Sequence, residues 1–229
     1  MRKSTLLAAL SLAVLLPAAL SAQALTAPEV MARHFRLPKP VTSIVSMSMT
    51  ITKNGKSLSR SLQTWAAGDN SRGEVERKLI KFLAPGDIKG SGFLSSRKVD
   101  GSTESQLWLP AMGKVRRLST GASDQDQAFF GSDFTNRDIS GFTEFDFAYR
   151  FLPFSAEAYL VEATPKEAMA FEKLVYTIDA RTFTAARIEY FRAGKVAKTQ
   201  SMTYDNVKSY LVLSSSSMVA ATGSQTLIR

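Results

Sequence analysis

The sequence predicts a mainly β protein built on one antiparallel sheet. Apolar and polar residues alternate with a period of two over residues 45–51, which is typical of a half-buried strand. Asn54-Gly55 follows directly and favours the tight turn of a β-hairpin, because both central residues of that turn need a positive φ. Further strand-like runs follow with no helix-length pattern between neighbours, which favours antiparallel pairing over a βαβ fold.

The remaining strand-like runs are separated by turn residues such as Pro85-Gly86, Asp100-Gly101 and Ala193-Gly194. Together with the strand at residues 45–51, these runs give about ten predicted strands, in two series. They cover residues 57–66, 73–83, 90–99 and 103–109, and then 156–163, 171–178, 185–191, 195–204 and 210–220.

Several of these runs are apolar on both faces of the pleat. In residues 171–178, Val175 lies on one side, while Leu174 and Tyr176 lie on the other. A single sheet with one solvated face would not need this pattern. We therefore expect a strongly curved sheet that holds an apolar cavity, with helices covering part of it.

The segment between the two series, residues 119–153, contains seven phenylalanines among Gly, Ser, Asp and Asn. An exposed loop would not carry that much apolar surface. We expect short helical turns that fold over the cavity as a lid. The candidate lid residues are Phe129, Phe130, Phe134 and Phe142.

The first 24 residues have the pattern of a secretory signal peptide. Arg2 and Lys3 precede an uncharged apolar run, and a small-x-small cleavage site ends at Ala24. Pro17 interrupts that run, which is shorter than the about 20 residues needed to span a bilayer. Cleavage predicts a soluble periplasmic protein with one domain over residues 25–229.

An amphipathic helix is predicted directly after this leader. Thr26 suits the N-cap, Pro28 suits the first turn, and Glu29 is favourable near the positive end of the helix. The helix ends before Pro38.

Composition excludes several kinds of chemistry. The chain has no Cys and one His, which excludes disulfides, thiol catalysis and multi-His or Cys metal sites. Neither calcium-loop spacing nor a Gly-x-Ser-x-Gly motif occurs. The sequence therefore predicts a binding protein, with no catalytic residues, metal or cofactor.

The formal net charge is +9 at pH 7. Loss of Arg2 and Lys3 with the leader leaves 27 basic against 20 acidic residues, a net charge of +7. This charge suits anionic partners, and export argues against nucleic acid. Phospholipid or lipopolysaccharide headgroups remain, with transient contact at a membrane surface.

Particular segments of the chain resemble a known family. They are residues 82–90, with Pro85-Gly86-Asp87, residues 107–118, with Trp108-Leu109-Pro110 and Arg116-Arg117, and then Phe130-Gly131-Ser132-Asp133-Phe134. Ile188-Glu189-Tyr190-Phe191 before Gly194-Lys195 extends the likeness over most of the mature chain. The chain resembles the outer-membrane lipoprotein-sorting proteins, which are LolA-like.

That resemblance implies an unclosed antiparallel β-barrel of about eleven strands, with an N-terminal helix and short lid helices over an apolar cavity. It also implies periplasmic carriage of the acyl chains of lipoproteins or free lipids between the envelope membranes. Because relatives occur alongside lipid export pumps, it further implies an accessory role, with an inner-membrane transporter and an outer-membrane acceptor as partners.

The candidate ligand-binding residues are apolar or aromatic residues of the strand-like runs. Methionines adapt to irregular apolar ligands, although they fill a core equally well. The pleat alone does not decide which face lines the cavity. Arg116 and Arg117 are the expected headgroup contacts, since paired basic residues can bind a phosphate. The cavity candidates are Val45, Met47, Met49, Trp108, Ile188, Tyr190, Met202 and Tyr204.

Two other functions stay open from the sequence. An integral outer-membrane β-barrel would need long uncharged lipid-facing alternation, which Arg77, Lys81 and Arg187 interrupt. A hydrolase of envelope polymers would use two carboxylates, for which Asp133 and Asp138 are the candidates.

Overall fold

A single antiparallel sheet dominates the computed structural model, which describes residues 25–70, 74–153 and 155–229. Within these ranges the sheet has thirteen strands, and the helices are few and short. This confirms the mainly β, unclosed fold, with more strands than the ten or eleven expected. The predicted signal peptide, residues 1–24, lies outside the described residues.

Among the described residues, three α-helices accompany the sheet: α1 (Ala27–Phe35), α2 (Ala122–Gln125) and α3 (Asn136–Ser140), with 3-10 turns at Pro110–Met112 and Phe129–Gly131. None of the helices in the described ranges has the length and apolar character needed to cross a membrane. The strands in chain order are β1 (Thr42–Lys53), β2 (Lys56–Asn70), β3 (Glu74–Ala84), β4 (Gly92–Lys98), β5 (Thr103–Leu109), β6 (Lys114–Leu118), β7 (Phe147–Phe151), β8 (Ala158–Pro165), β9 (Lys173–Asp179), β10 (Ala185–Arg192), β11 (Lys195–Val207), β12 (Tyr210–Ala220) and β13 (Gln225–Ile228).

Strands β6, β7 and β13 were not among the predicted runs. In β6 only Leu118 is buried, so the strand shows no apolar alternation. Strand β7 lies within the phenylalanine-rich segment, and β13 has only four residues. Strand β6 is therefore held in the sheet by its neighbour rather than by a pattern of its own.

The strand order makes residues 119–146 cross the sheet. Strands β1 to β6 extend from the centre to one edge, and β13 down to β7 extend to the other, with β1 paired to β13 in the middle. Strands β6 and β7 are the two edges, yet they are consecutive in the chain. Residues 119–146, which we call the connector, therefore run from one edge of the sheet to the other.

The pleat gives the sheet an inner face that carries the core. Across five strands, Val45 is followed in register by Thr64, Ile80, Phe93 and Leu107. In the second half, inner positions include Tyr176 and Ile188, which are direct register partners. The largest buried inner side chains include Met49, Leu62, Phe82, Phe93, Leu174, Tyr176, Tyr190 and Met218.

Helix α1 packs against one part of this core. Its N-terminus has a capping box, in which Thr26 and Glu29 bond each other's backbone N–H groups. Val30 and Met31 are fully buried. Near the other end, His34 Nδ1 lies 2.9 Å from the Phe183 carbonyl, and burial lowers the pKa of His34. The predicted N-terminal helix is confirmed.

The inward and outward assignment can be tested at two adjacent residues of β3. Phe82 is fully buried, whereas Leu83 is 41% exposed on the opposite face. We expect Phe82→Ala to lower the free energy of unfolding by about 3–5 kcal/mol, because it leaves a cavity in a packed core. The matched change Leu83→Ala should cost less than about 1 kcal/mol. Urea denaturation measures both, and equal losses would contradict the assignment.

Candidate functional site

The connector covers the inner face with phenylalanine side chains. The Phe129 ring lies 5.4 Å from the Phe93 ring and 5.9 Å from the Phe82 ring, and the Phe130 ring lies 4.6 Å from Phe82. These tilted and edge-on contacts suit aromatic pairs. Phe134 is also buried. The connector thus takes the place of a second sheet over the core.

All four candidate lid residues lie in the connector. Phe129 and Phe134 belong to the buried core, whereas Phe130 and Phe142 are partly buried against it. Phe130 has a φ of 48°, in the left-handed region that an aromatic residue rarely adopts. Movement of this segment as a lid stays a prediction.

Cationic side chains from the sheet bind the backbone of the connector. Lys53 Nζ donates to the Gly131 carbonyl at 2.8 Å, and Arg60 Nη1 donates to the Phe130 carbonyl at 2.5 Å. These acceptors are neutral, so the contacts hold the connector without cancelling the charge of the donors.

Two carboxylates of the connector bind the centre of the sheet. Asp133 accepts from the Ser224 hydroxyl at 2.5 Å and from the Thr226 hydroxyl at 2.7 Å. Asp138 forms a buried ion pair with Lys198 at 2.5 Å. The two residues considered for hydrolysis therefore anchor the connector in this structure.

Seven of the eight cavity candidates lie on the inner face. Met49, Ile188 and Tyr190 are buried in the core, and the other four are partly buried: Val45, Met47, Met202 and Tyr204. The Tyr204 hydroxyl donates to the Ala185 carbonyl at 3.1 Å, and burial raises the pKa of Tyr204 to about 12. Contact of these residues with a ligand stays a prediction.

Trp108 is the exception and corrects the sequence assignment. It is 39% exposed and lies on the outer face, where it lines a groove with Leu79, Leu94 and Val115. The inner position of this strand is taken by Leu107, which is in register with Phe93. Since neighbouring residues of a strand point to opposite faces, Trp108 cannot share the inner face with Leu107.

The two candidate headgroup residues lie on the edge strand β6. Both are exposed, and Arg116 forms an ion pair with Asp124 of the connector at 2.6 Å. Arg117 is in register with Gln106, which lines the outer groove. Neither arginine lines the cavity that lies beside Glu76 and Lys78.

The open apolar cavity expected from the sequence is not what the described residues form. Connector phenylalanines fill the apolar part of the inner face. A cavity of about 300 Å³ remains beside it, lined by charged and polar as well as apolar residues. Its charged lining residues include Lys39, Glu76, Lys78, Arg97 and Asp138. We call this region the polar end of the inner face.

Small side chains make room for this cavity. Lys78 is flanked in register by Ala66 and Ser95, and Ser105 continues the row. One position further along β3, on the same face, Glu76 is in register with Arg97. The inner face is therefore apolar around Ile80 and polar around Lys78.

Glu76 forms ion pairs with two cations at the polar end. Its Oε2 lies 3.2 Å from Lys39 Nζ and 3.2 Å from Arg97 Nη1. Burial opposes the charge on Glu76, but Lys39, Lys78 and Arg97 outweigh that effect and lower the pKa of Glu76. Arg97 Nη2 also donates to the Ser140 and Gly141 carbonyls of the connector, both at 3.3 Å.

Lys78 has a weaker partner. Its ammonium group donates to the Ile139 carbonyl, which is neutral. Desolvation lowers the pKa of Lys78 to about 8, because burial disfavours the charged form more than the nearby Glu76 favours it.

Sequence reasoning missed the polar end. Glu76 and Lys78 lie in phase with Ile80 and Phe82 along β3, so the period-two pattern itself placed them on the inner face. Charged residues at inward positions of a strand were the available signal. In the described ranges, no group of His, Asp and Glu is arranged to hold a metal ion.

The fold is similar to that of several solved structures, one of which belongs to the LolA superfamily. A LolA superfamily protein from Nitrosomonas europaea is 16% identical, with a TM-score of 0.67 over 90% of this chain and 91% of that one. A domain from Vibrio parahaemolyticus assigned as an outer membrane lipoprotein-sorting protein is 23% identical, with a TM-score of 0.79 over 89% of each chain.

A DUF1329 family protein from Desulfovibrio piger is equally similar, at 23% identity and a TM-score of 0.79 over 88% of each chain. A family model described as that of an uncharacterized protein matches residues 74–229, which is more than half of the chain. The chain belongs to that family. No curated protein matches the sequence.

The desolvation of Lys78 predicts a pH-dependent effect on stability. The pKa of about 8 in the folded state lies below the ordinary 10.5, so the unfolded state binds this proton more tightly. The charge therefore costs stability below pH 8, and that cost disappears as the pH rises towards 10.5. We expect Lys78→Met to raise the free energy of unfolding at pH 7 by about 1–2 kcal/mol, a value discounted for partial solvent exposure.

Urea denaturation at pH 7 and at pH 10.5 measures this difference. The control is Lys81→Met, on the exposed face of the same strand, which should show no such pH dependence. A wild type that is more stable than Lys78→Met at pH 7 would contradict the assignment.

Proposed function

We propose that the protein carries the acyl chains of lipids or lipoproteins through the periplasm, and that the connector opens to admit them. The observation that carries this proposal is the connector itself. It covers an apolar sheet face with Phe129, Phe130 and Phe134, and it is attached through hydrogen bonds and ion pairs rather than by strand pairing with the sheet. An acyl chain offers the same apolar contact to that face.

The energies of the two covers are comparable. Exposing the three phenylalanines costs at most about 5–9 kcal/mol, since a fully buried side chain of this size contributes about 1.5–3 kcal/mol and Phe130 is only partly buried. Burying an acyl chain contributes about 0.8 kcal/mol per CH₂ group, so about ten groups offset that cost. Long acyl chains can therefore replace the connector, whereas short ones cannot.

The fold and the leader support the location and the cargo class. The similar Vibrio parahaemolyticus domain is assigned to lipoprotein sorting, and the first 24 residues have the pattern of an export signal. A carrier also needs a donor and an acceptor, for which an inner-membrane transporter and an outer-membrane protein are our proposals. In this function the protein binds and releases its cargo without chemical change.

A reversible crosslink tests whether opening is required. Thr226 Oγ1 lies 2.9 Å from the Asp133 backbone N and 2.7 Å from its carboxylate. The chain has no other Cys, so the double variant Asp133→Cys/Thr226→Cys can form only this intramolecular disulfide. We expect the oxidised variant to lose binding of a fluorescent C16 fatty acid, because the connector can no longer leave the inner face.

Reduction of the same sample is the matched control and should restore binding. The single variant Thr226→Cys, treated with the same oxidant, should bind throughout. Equal binding by the oxidised and reduced double variant would contradict opening of the connector. Absence of binding by the wild type would contradict the carrier function itself.

A further inference from the structure

The polar end of the inner face holds more positive than negative charge. Three basic residues line it, Lys39, Lys78 and Arg97, together with the acidic residues Glu76 and Asp138. Lys198 adds a fourth cation through its ion pair with Asp138. Both carboxylates are already bonded, Glu76 by two cations and Asp138 by Lys198. A surplus of two positive charges therefore remains, and an unbalanced charge is costly where it is buried, as at Lys78.

Lys78 carries part of this surplus. Its ammonium group is bonded to the Ile139 carbonyl, which cannot neutralise it. Its charge nevertheless persists at pH 7, which lies below its lowered pKa of about 8.

Two buried donors beside the cavity lack an acceptor among the described residues. The Tyr176 hydroxyl is one of them, on a side chain that lines the cavity and is only 1% exposed. The other is the Nε–H group of Arg97, which lines the same cavity. Buried polar groups are nearly always paired, so two orphaned donors at one cavity indicate a missing acceptor.

We infer that this cavity binds an anionic group, a phosphate or a carboxylate. Such a group would accept charge-assisted hydrogen bonds from Lys78, Arg97 and Tyr176, and it would balance the surplus charge. The volume of about 300 Å³ is at the small end of ligand pockets, which suits one such group rather than a whole lipid.

The position of the cavity identifies the headgroup of a carried lipid as the source of the anion, which rests on the proposed function. Lys78 and Ile80 are successive inward residues of β3, about 7 Å apart along the strand. An acyl chain on the apolar rows therefore brings its headgroup to Lys78. Free inorganic phosphate has the same chemistry, and the experiment separates the two sources.

Calorimetric titration of the full chain with three probes tests the inference: lysophosphatidic acid, a monoacylglycerol with the same acyl chain, and inorganic phosphate. We expect the wild type to bind the charged lipid about tenfold or more tightly than the neutral one. Lys78→Met should abolish this preference and leave the affinity for monoacylglycerol unchanged, which also shows that the variant is folded. The outer-face control Lys81→Met should keep the preference.

Tyr176→Phe is the second variant. It removes one oxygen that has no partner among the described residues, so the fold should tolerate it, and we expect the preference for the charged lipid to fall several-fold. A preference that survives in both Lys78→Met and Tyr176→Phe would overturn the anion site.

The remaining outcomes separate this inference from the carrier function. Equal wild-type affinity for the two lipids would overturn the anion site and leave the carrier function in place. Binding of inorganic phosphate alone, lost in Lys78→Met, would support the anion site with free phosphate as its ligand and contradict acyl-chain carriage. No binding of any probe would overturn both.

Discussion

The structure depends on one topological constraint: the two edge strands of an open sheet are consecutive in the chain. Strand β6 ends one edge and β7 begins the other, so the connector between them has to cross the face that carries the core. An apolar sheet face needs a cover, and no second sheet in the described part of the chain supplies it. The phenylalanines of residues 129–134 are the consequence, because they provide buried apolar surface on a segment that has little regular structure of its own.

The connector is attached by interactions of a different kind from those that cover the core. Its rings supply non-directional burial, whereas Lys53, Arg60 and Asp133 fix its position through directional hydrogen bonds. Water or a polar ligand can replace such hydrogen bonds at modest net cost, since each contributes only about 0.5–1.5 kcal/mol, or about 1.5–3 kcal/mol when one partner is charged. This division gives the connector a well-defined position, and the opening that we propose would break directional bonds rather than strand pairing.

Sequence patterns predicted the parts of the molecule that are governed by local rules. The alternation of residues 45–51 and the Asn54-Gly55 turn gave the first hairpin, and the density of phenylalanine gave the connector. Edge strand β6 was not predicted, because an exposed strand needs no apolar alternation. Trp108, a candidate cavity residue, lies on the outer face, because the pleat gives the inner position of that strand to Leu107. The polar end was not predicted, because its charges come together only when β3 pairs with β4 and the connector packs over the sheet.

The central pairing of β1 with β13 has a consequence for the order in which the molecule forms. Strands β1 to β6 and β7 to β12 are each joined to their sequence neighbours and can assemble from short-range hairpins. The two meanders become one sheet only when Ile51 pairs with Thr226, across most of the chain length. Closing so long a loop is entropically costly and slow relative to hairpin formation. Assembly is therefore expected to proceed through two separately formed halves. Asp133 can bond Ser224 and Thr226 in their final positions only after β13 has docked between β1 and β12.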